Sequence, residues 1–225
     1  MAGFMEWVSG VHEGKHHGYS IAPGIVKDNF NLLSEGKVQV HIPSLPDFEP
    51  WARVVSVGAG SGRGFLWIPQ IDDEVLVGFN KNDDADAYIL GGLWSLMNLP
   101  PASDPVDFIT KRIIKTGVKD SPLAHTIEID DAEQSIKIKT SSSQQITMDL
   151  DKISIETSQG LLKITMDVLN VPPSISIESQ GDISLSAPLG KISLDAMNIE
   201  ISSELETDIS SDDTVSLSGL MVEIN

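Results

Sequence analysis

Ile127-Glu128-Ile129, Ile136-Lys137-Ile138, Ile146-Thr147-Met148, Ile153-Ser154-Ile155 and Ile164-Thr165-Met166 are successive copies of one phrase, apolar-polar-apolar, set apart by a few turn residues. The phrase returns as Ile175-Ser176-Ile177, Ile183-Ser184-Leu185, Ile192-Ser193-Leu194, Ile199-Glu200-Ile201, Val215-Ser216-Leu217 and Val222-Glu223-Ile224. A spacing of roughly 8 to 9 residues is that of short strands joined by regular turns. Within each phrase the period is two, so both apolar side chains leave one face and the polar one leaves the other. Gln159-Gly160, Gln180-Gly181, Leu189-Gly190 and Ser218-Gly219 punctuate the run, since glycine enters a turn without steric cost.

Many identical short strands with one apolar face define a repeat architecture, in which each unit buries its face only through its neighbours. Two closures satisfy that requirement. A single chain can coil into a parallel solenoid, or three chains can wrap into a prism with the isoleucines on its axis. The phrases are very short, and few large apolar residues flank them to fill a single-chain interior, so the three-chain prism is the expected closure. Its axis core is read as Ile153, Ile155, Ile175, Ile177, Ile183, Leu185, Ile192, Leu194, Ile199 and Ile201.

Composition removes several function classes. The chain has 225 residues, no cysteine and a formal net charge of −18. Disulfide and thiolate chemistry are therefore absent, and the acidic balance opposes nucleic-acid binding, whose footprint is a basic stripe. No apolar run approaches the roughly 20 residues that cross a bilayer. Residues 1–18 carry Glu6 and no early basic cluster, unlike a secretory signal. Assembly in the cytoplasm is the expectation.

Residues 1–23 read as a leader. His12, His16 and His17 fall there among Gly10, Gly14 and Gly18, with no carboxylate or cysteine to complete a metal set. From Gly24 a compact run of strands is predicted at Ile25–Val26, Lys37–Ile42, Trp51–Val57, Phe65–Ile68, Glu74–Asn80 and Ala87–Leu90. Alternation is visible at Val38, Val40 and Ile42 and at Val75, Val77 and Phe79. Prolines 43, 46 and 50, the glycines from Gly58 to Gly64, and Asn80 to Asp86 mark loops. Five or six short strands in some seventy residues suit a small closed barrel of the OB type over residues 24–95. The fold class is thus all-β, an N-terminal OB-type barrel followed by an intertwined trimeric β-helix or β-prism needle.

The motifs that invite chemistry read better as structure. Gly58-Ala59-Gly60-Ser61-Gly62-Arg63-Gly64 lacks the Lys-Ser/Thr pair of a phosphate loop and misses the dinucleotide spacing at Arg63. Asn82, Asp83, Asp84 and Asp86 lack the EF-hand spacing and its closing Glu. Neither His41 nor His125 has a nucleophile-elbow sequence beside it. Asp149, Asp151, Glu156, Asp167, Glu178 and Asp182 read as the solvated outside of a repeat. No enzyme activity, cofactor or metal is expected.

Particular residues also resemble a known family. Gly24-Ile25-Val26-Lys27-Asp28-Asn29, Gly36 to Pro43, Trp51-Ala52-Arg53-Val54, Ala59-Gly60, Ile68-Pro69, Asp73-Glu74-Val75-Leu76-Val77-Gly78-Phe79, Tyr88 to Gly91 and Leu93-Trp94 are similar to the barrel of contractile-tail spikes. That family comprises phage baseplate assembly protein V and the valine-glycine-repeat spikes of injection systems. Gln70 and Asp72 depart from it, standing where the family carries Glu and Gly. Ile113 to Thr116 and His125 to Asp131 resemble its passage into the β-helix.

The resemblance implies a homotrimer whose barrel seats on the baseplate hub and whose needle, residues 123–225, breaches the target envelope with only transient membrane contact. Such a spike belongs to a virion tail or phage tail-like particle. The connector, residues 96–122, is about two dozen residues and too short for the hydrolase domain that some phage relatives carry. No histidine follows His125, so the iron-binding His-x-His of some relatives does not carry over. A separate tip protein of the proline-alanine-alanine-arginine repeat type is the expected cap, docking on Val215, Leu217, Val222 and Ile224. The competing reading of the ladder is a trimeric β-helical adhesin or glycan-processing fibre.

Overall fold

Inward-facing residues on alternating positions close the strands between Ile21 and Leu93 into a barrel. The computed structural model describes residues 21–30, 35–80, 83–102 and 104–223. The leader with His12, His16 and His17 lies outside them, as do Asn82 and Ile224. The barrel strands are β1 (Ile21–Asp28), β2 (Lys37–His41), β3 (Trp51–Val54), β6 (Glu74–Asn80) and β7 (Asp83–Leu93), closed in the order β1-β2-β3-β7-β6. All neighbours are antiparallel except β3 and β7, which run parallel. Between them a small hairpin, β4 (Ala59–Gly60) and β5 (Arg63–Gly64), stands apart as its own two-stranded sheet.

The barrel interior is made of small aliphatics: Val26, Val38, Val40, Ile42, Ala52, Val75, Val77 and Ile89 are essentially inaccessible to solvent. Phe48, Val54, Ile68 and Phe79 are partly buried and pack against it. β1 is longer than the Ile25–Val26 predicted. Its inward positions are Ala22, Gly24 and Val26, and a glycine at the middle one carries no hydropathy signal. Gly24 is bare because Val40 leaves no room: a Cβ there would lie 2.5 Å from Val40 Cγ1 and 3.1 Å from Val77 Cγ2.

Several expectations change: β7 begins at Asp83, inside the stretch read as a loop, and β3 ends at Val54, short of the predicted Val57. Phe65–Ile68 is not a strand. Its apolar run has no alternation, Phe65 and Leu66 stay exposed, and the Phe65 and Trp67 rings stack with centroids 6.0 Å apart. The glycine stretch before it, read as a loop, folds instead as the β4–β5 hairpin, with Gly62 at φ +66°. The turn before β6 carries Asp72 where the resemblance implies a glycine. Asp72 adopts the left-handed conformation at φ +70°, a region Asp tolerates better than most residues. Its N–H donates to Val26 O at 2.9 Å, and its carboxylate pairs with Lys119.

Beyond the barrel, a four-residue helix α1 (Asp107–Thr110) leads into β8 (Lys111–Lys115). β8 lies inside the stretch read as connector, where Lys111-Arg112-Ile113-Ile114-Lys115 gives no alternation. It begins a seven-stranded antiparallel meander. The other strands are β9 (Thr126–Asp130), β10 (Ser135–Lys139), β11 (Gln145–Met148), β12 (Lys152–Glu156), β13 (Leu162–Asp167) and β14 (Ser174–Ser179). Residues 182–225 form a second unit. Among its described residues no strand forms, and Gly190 N–H to Ala187 O is the backbone hydrogen bond it makes outside regular elements.

Gly24→Ala should destabilise the barrel by about 1–3 kcal/mol through overpacking against Val40. Thermal denaturation of the variant would show this as a fall of roughly 2–4 °C per kcal/mol for a chain of this size. An unchanged midpoint would mean that β1 and β2 are not packed as described.

Candidate functional site

The meander places its isoleucines in two straight columns. Register pairing aligns Ile114, Ile127, Ile138, Ile146, Ile155, Ile164 and Ile177 in one, running across every strand. The second column is Ile129, Ile136, Met148, Ile153, Met166 and Ile175, headed by Arg112 on β8. Cross-strand aliphatic neighbours of this kind hold register, because a slip of one residue turns every side chain to the wrong face. From β9 to β14 the columns are between 36% (Ile164) and 70% (Ile175) exposed.

The opposite face closes over itself. Lys111 Nζ reaches Asp107 at 3.1 Å, Asp130 at 3.7 Å and Glu128 at 3.9 Å. Lys137 pairs with Glu133 at 2.8 Å and Lys163 with Glu156 at 3.4 Å. Between these long side chains Thr147, Ser154, Thr165 and Ser176 run in register, and Ser154 is only 3% exposed. The sheet therefore hides hydroxyls and shows isoleucines, the reverse of what water favours.

Each border of the sheet has its own turn device. After β8, β10 and β12 the hydroxyls of Thr116, Thr140 and Thr157 accept from the N–H of His125, Gln144 and Leu162 at 2.9, 3.2 and 3.0 Å. After β9, β11 and β13 the carboxylates of Asp130, Asp149 and Asp167 accept from two successive N–H groups of the following turn. Sequence reading had assigned Asp149 and Asp167 only to a solvated face. Their fixed place at the close of alternate phrases was the signal for the cap. His125 enters this scheme through its backbone, and Glu156 through its ion pair.

Hydrogen bonds from the N–H groups of Glu133 and Ala132 hold the Asp130 carboxyl below the usual carboxylate range, against the opposing effect of burial. Those from Asp151 and Lys152 do the same for Asp149. On the barrel, Asp86 is held low by the Tyr88 hydroxyl first and the Arg53 guanidinium second, with Arg53 lying over the Tyr88 ring at 4.5 Å. Among the described residues no three His, Asp or Glu side chains converge as metal ligands.

Of the axis residues read from sequence, Ile153, Ile155, Ile175 and Ile177 stand together in the two columns. Ile183, Leu185, Ile192, Leu194, Ile199 and Ile201 lie in the second unit, all more than half exposed and joined by no strand pairing. Val215, Leu217 and Val222 are there too, 49%, 70% and 53% exposed.

A closed five-stranded barrel with one parallel pair, followed by an antiparallel ladder whose apolar face is exposed, defines an OB-barrel protein with a β-meander appended. The family described as the type VI secretion system/phage-baseplate injector OB domain matches residues 22–94, the span of the barrel. The resemblance to contractile-tail spikes is thereby borne out. The chain is similar to two curated proteins of Vibrio cholerae serotype O1. One is the actin cross-linking toxin VgrG1, 33% identical over 87 residues, which are 36% of this chain and 8% of the relative. The other is the type VI secretion system spike protein VgrG3, 34% identical over 95 residues, 40% of this chain and 9% of the relative. The chain thus covers less than a tenth of the length of either.

The sign of the pH dependence follows from these shifts. Carboxyls with depressed folded-state pKa values stabilise the sheet above their ordinary value of 3.8, and the stabilisation is lost as pH falls through the lower folded-state value. The melting temperature of wild type should therefore lose this contribution only below about pH 4. The Asp130→Asn/Asp149→Asn variant should melt lower at pH 7 and show a shallower acid limb by circular dichroism. Equal midpoints at pH 7 would rule out the capping role.

Proposed function

We propose that this chain is the central spike of a contractile injection machine, a homotrimer whose barrel seats on the baseplate hub and whose ladder forms the puncturing needle. The observation that carries the reading is the pair of bare isoleucine columns downstream of an injector-family barrel. Completing the burial of one half-covered aliphatic side chain contributes of the order of 1 kcal/mol, and two columns across six strands repeat that gain many times per chain. Three copies wrapping their apolar faces onto one axis supply the missing cover. They also supply partners for the second unit, whose described residues pair in no strand and otherwise leave most of their N–H and C=O groups to water.

The role is mechanical. A prism in which every strand is paired has no free edge from which to unzip, so it resists bending and unfolding under load. The acidic end is its docking platform. No Lys or Arg follows Lys191, whereas Glu200, Glu204, Glu206, Asp208, Asp212, Asp213 and Glu223 do. With Val215, Leu217 and Val222 exposed among them, the far needle fits a separate cap of the proline-alanine-alanine-arginine repeat type. The spike is assembled in the cytoplasm and delivered to the target surface when the sheath contracts.

Light scattering of the purified chain is expected to give three times the monomer mass. Ile192→Asp, which sets three carboxylates together on the axis, should cost several kcal/mol of trimer stability even after relaxation. A stable folded monomer would sink the spike reading. Deleting residues 215–225 should abolish binding of the cap protein and leave the trimer intact, whereas unchanged cap affinity would place the docking surface elsewhere.

A further inference from the structure

Barrel and ladder are separate sheets, and no strand pairing runs from one to the other. Among the described residues, the hydrogen bonds that join residues 21–93 to the chain after them both fall on Asp72, in the turn before β6. Asn98 Nδ2 donates to the Asp72 carbonyl oxygen at 3.3 Å, and Lys119 Nζ pairs with the Asp72 carboxylate. Beside this joint a broad groove opens, lined from the barrel by Val57, Phe65 and Trp67 and from the ladder by Ile113, Ile114 and Thr116. We propose that Asp72 is a latch that fixes the direction of the ladder relative to the barrel, with the loop between β8 and β9 as its arm.

Both partners of Asp72 are presented by closed turns. Ser95 N–H donates to Asn98 O at 2.9 Å, and Asn98 N–H donates to Ser95 Oγ at 3.3 Å. Residues 116–125 form a loop shut at its base, where Thr116 N–H donates to His125 O at 2.9 Å. At its tip Ser121 N–H donates to Val118 O at 3.0 Å, which frames Lys119. Asp72 stands at φ +70°, a conformation that glycine adopts more readily, so aspartate there keeps a carboxylate at the joint. Its hydrogen bond from Lys119 holds that carboxyl below the usual carboxylate range, and the pair is charged at neutral pH. A single exposed ion pair adds little to folding. At a joint of two hydrogen bonds its effect is on direction instead. A stiff joint would pass thrust from barrel to ladder; that consequence rests on the spike reading, whereas the latch itself does not.

The chain has no cysteine, so two spin labels can be placed at chosen sites. Asp47→Cys in the β2–β3 loop and Ser141→Cys in the β10–β11 turn are both at exposed positions. Labelled full-length chain is assembled with an excess of unlabelled chain, so that the electron–electron distance is measured within one copy in a monomer or a trimer alike. One narrow distribution is expected for the otherwise wild-type protein. Asp72→Gly keeps the turn and removes the carboxylate, and combined with Asn98→Ala it should at least double the width while circular dichroism stays unchanged. Lys119→Met, which leaves the barrel turn untouched, should broaden the distribution as Asp72→Gly alone does, and Lys119→Arg should keep it narrow. About 1 M NaCl should move wild type toward the Asp72→Gly width, because salt screens an exposed pair. An unchanged width in the double variant, or in Lys119→Met, overturns the latch and leaves the spike reading standing. A monomer by light scattering whose double variant broadens removes the spike reading and leaves the latch.

Discussion

A β-sheet with aliphatic side chains in register on one face must have that face covered. Here the requirement is unusually well separated from everything else the chain does. The polar face of the meander carries its own ion pairs above a row of hydroxyls, of which Thr165 Oγ1 is buried without a hydrogen-bond partner, and its borders are capped by threonine and aspartate. The barrel has its own closed core of valine, isoleucine and alanine. What remains uncovered is the pair of isoleucine columns. In the trimer proposed above, the dependence on other chains is concentrated there and in the second unit that carries the same phrase onward.

This division explains what sequence could and could not reveal. The ladder strands were legible because Ile-x-Ile at period two leaves little choice of face, and β9 to β13 fall where the phrases lie. β8 was hidden because Lys111, Arg112, Ile113, Ile114 and Lys115 mix both faces with long cationic stems. The inward side of β1 was hidden by Gly24, whose contribution to packing is the absence of a side chain. Phe65 to Ile68 shows the opposite failure. Its composition favours a strand, yet no neighbouring edge accepts it, and tertiary context decides.

The second unit makes the same point from the other direction. Ile183-Ser184-Leu185 and Ile192-Ser193-Leu194 are indistinguishable in pattern from Ile175-Ser176-Ile177, which pairs with β13. Only the earlier phrase finds a partner within the chain. Local pattern specifies which face a residue takes, while pairing needs a neighbouring edge that the pattern does not name. The candidate axis residues were therefore readable as a set, whereas in the proposed trimer their mutual geometry would be set by three chains together.

The alternation of threonine and aspartate turns has a consequence for the growth of such a ladder over evolutionary time. Each cap is satisfied inside its own turn, within five residues on the aspartate border and within nine on the threonine border. A hairpin such as β10–β11 is thus a self-contained increment. Removing one strand would bring a threonine turn to the aspartate border and invert the direction of all that follows. Removing two preserves both borders and both columns. Neighbouring strands lie about 4.8 Å apart, so the permitted step is about 10 Å. Length in this architecture is counted in pairs of strands, and a lineage that needs a longer or shorter reach can adjust it without redesigning any contact.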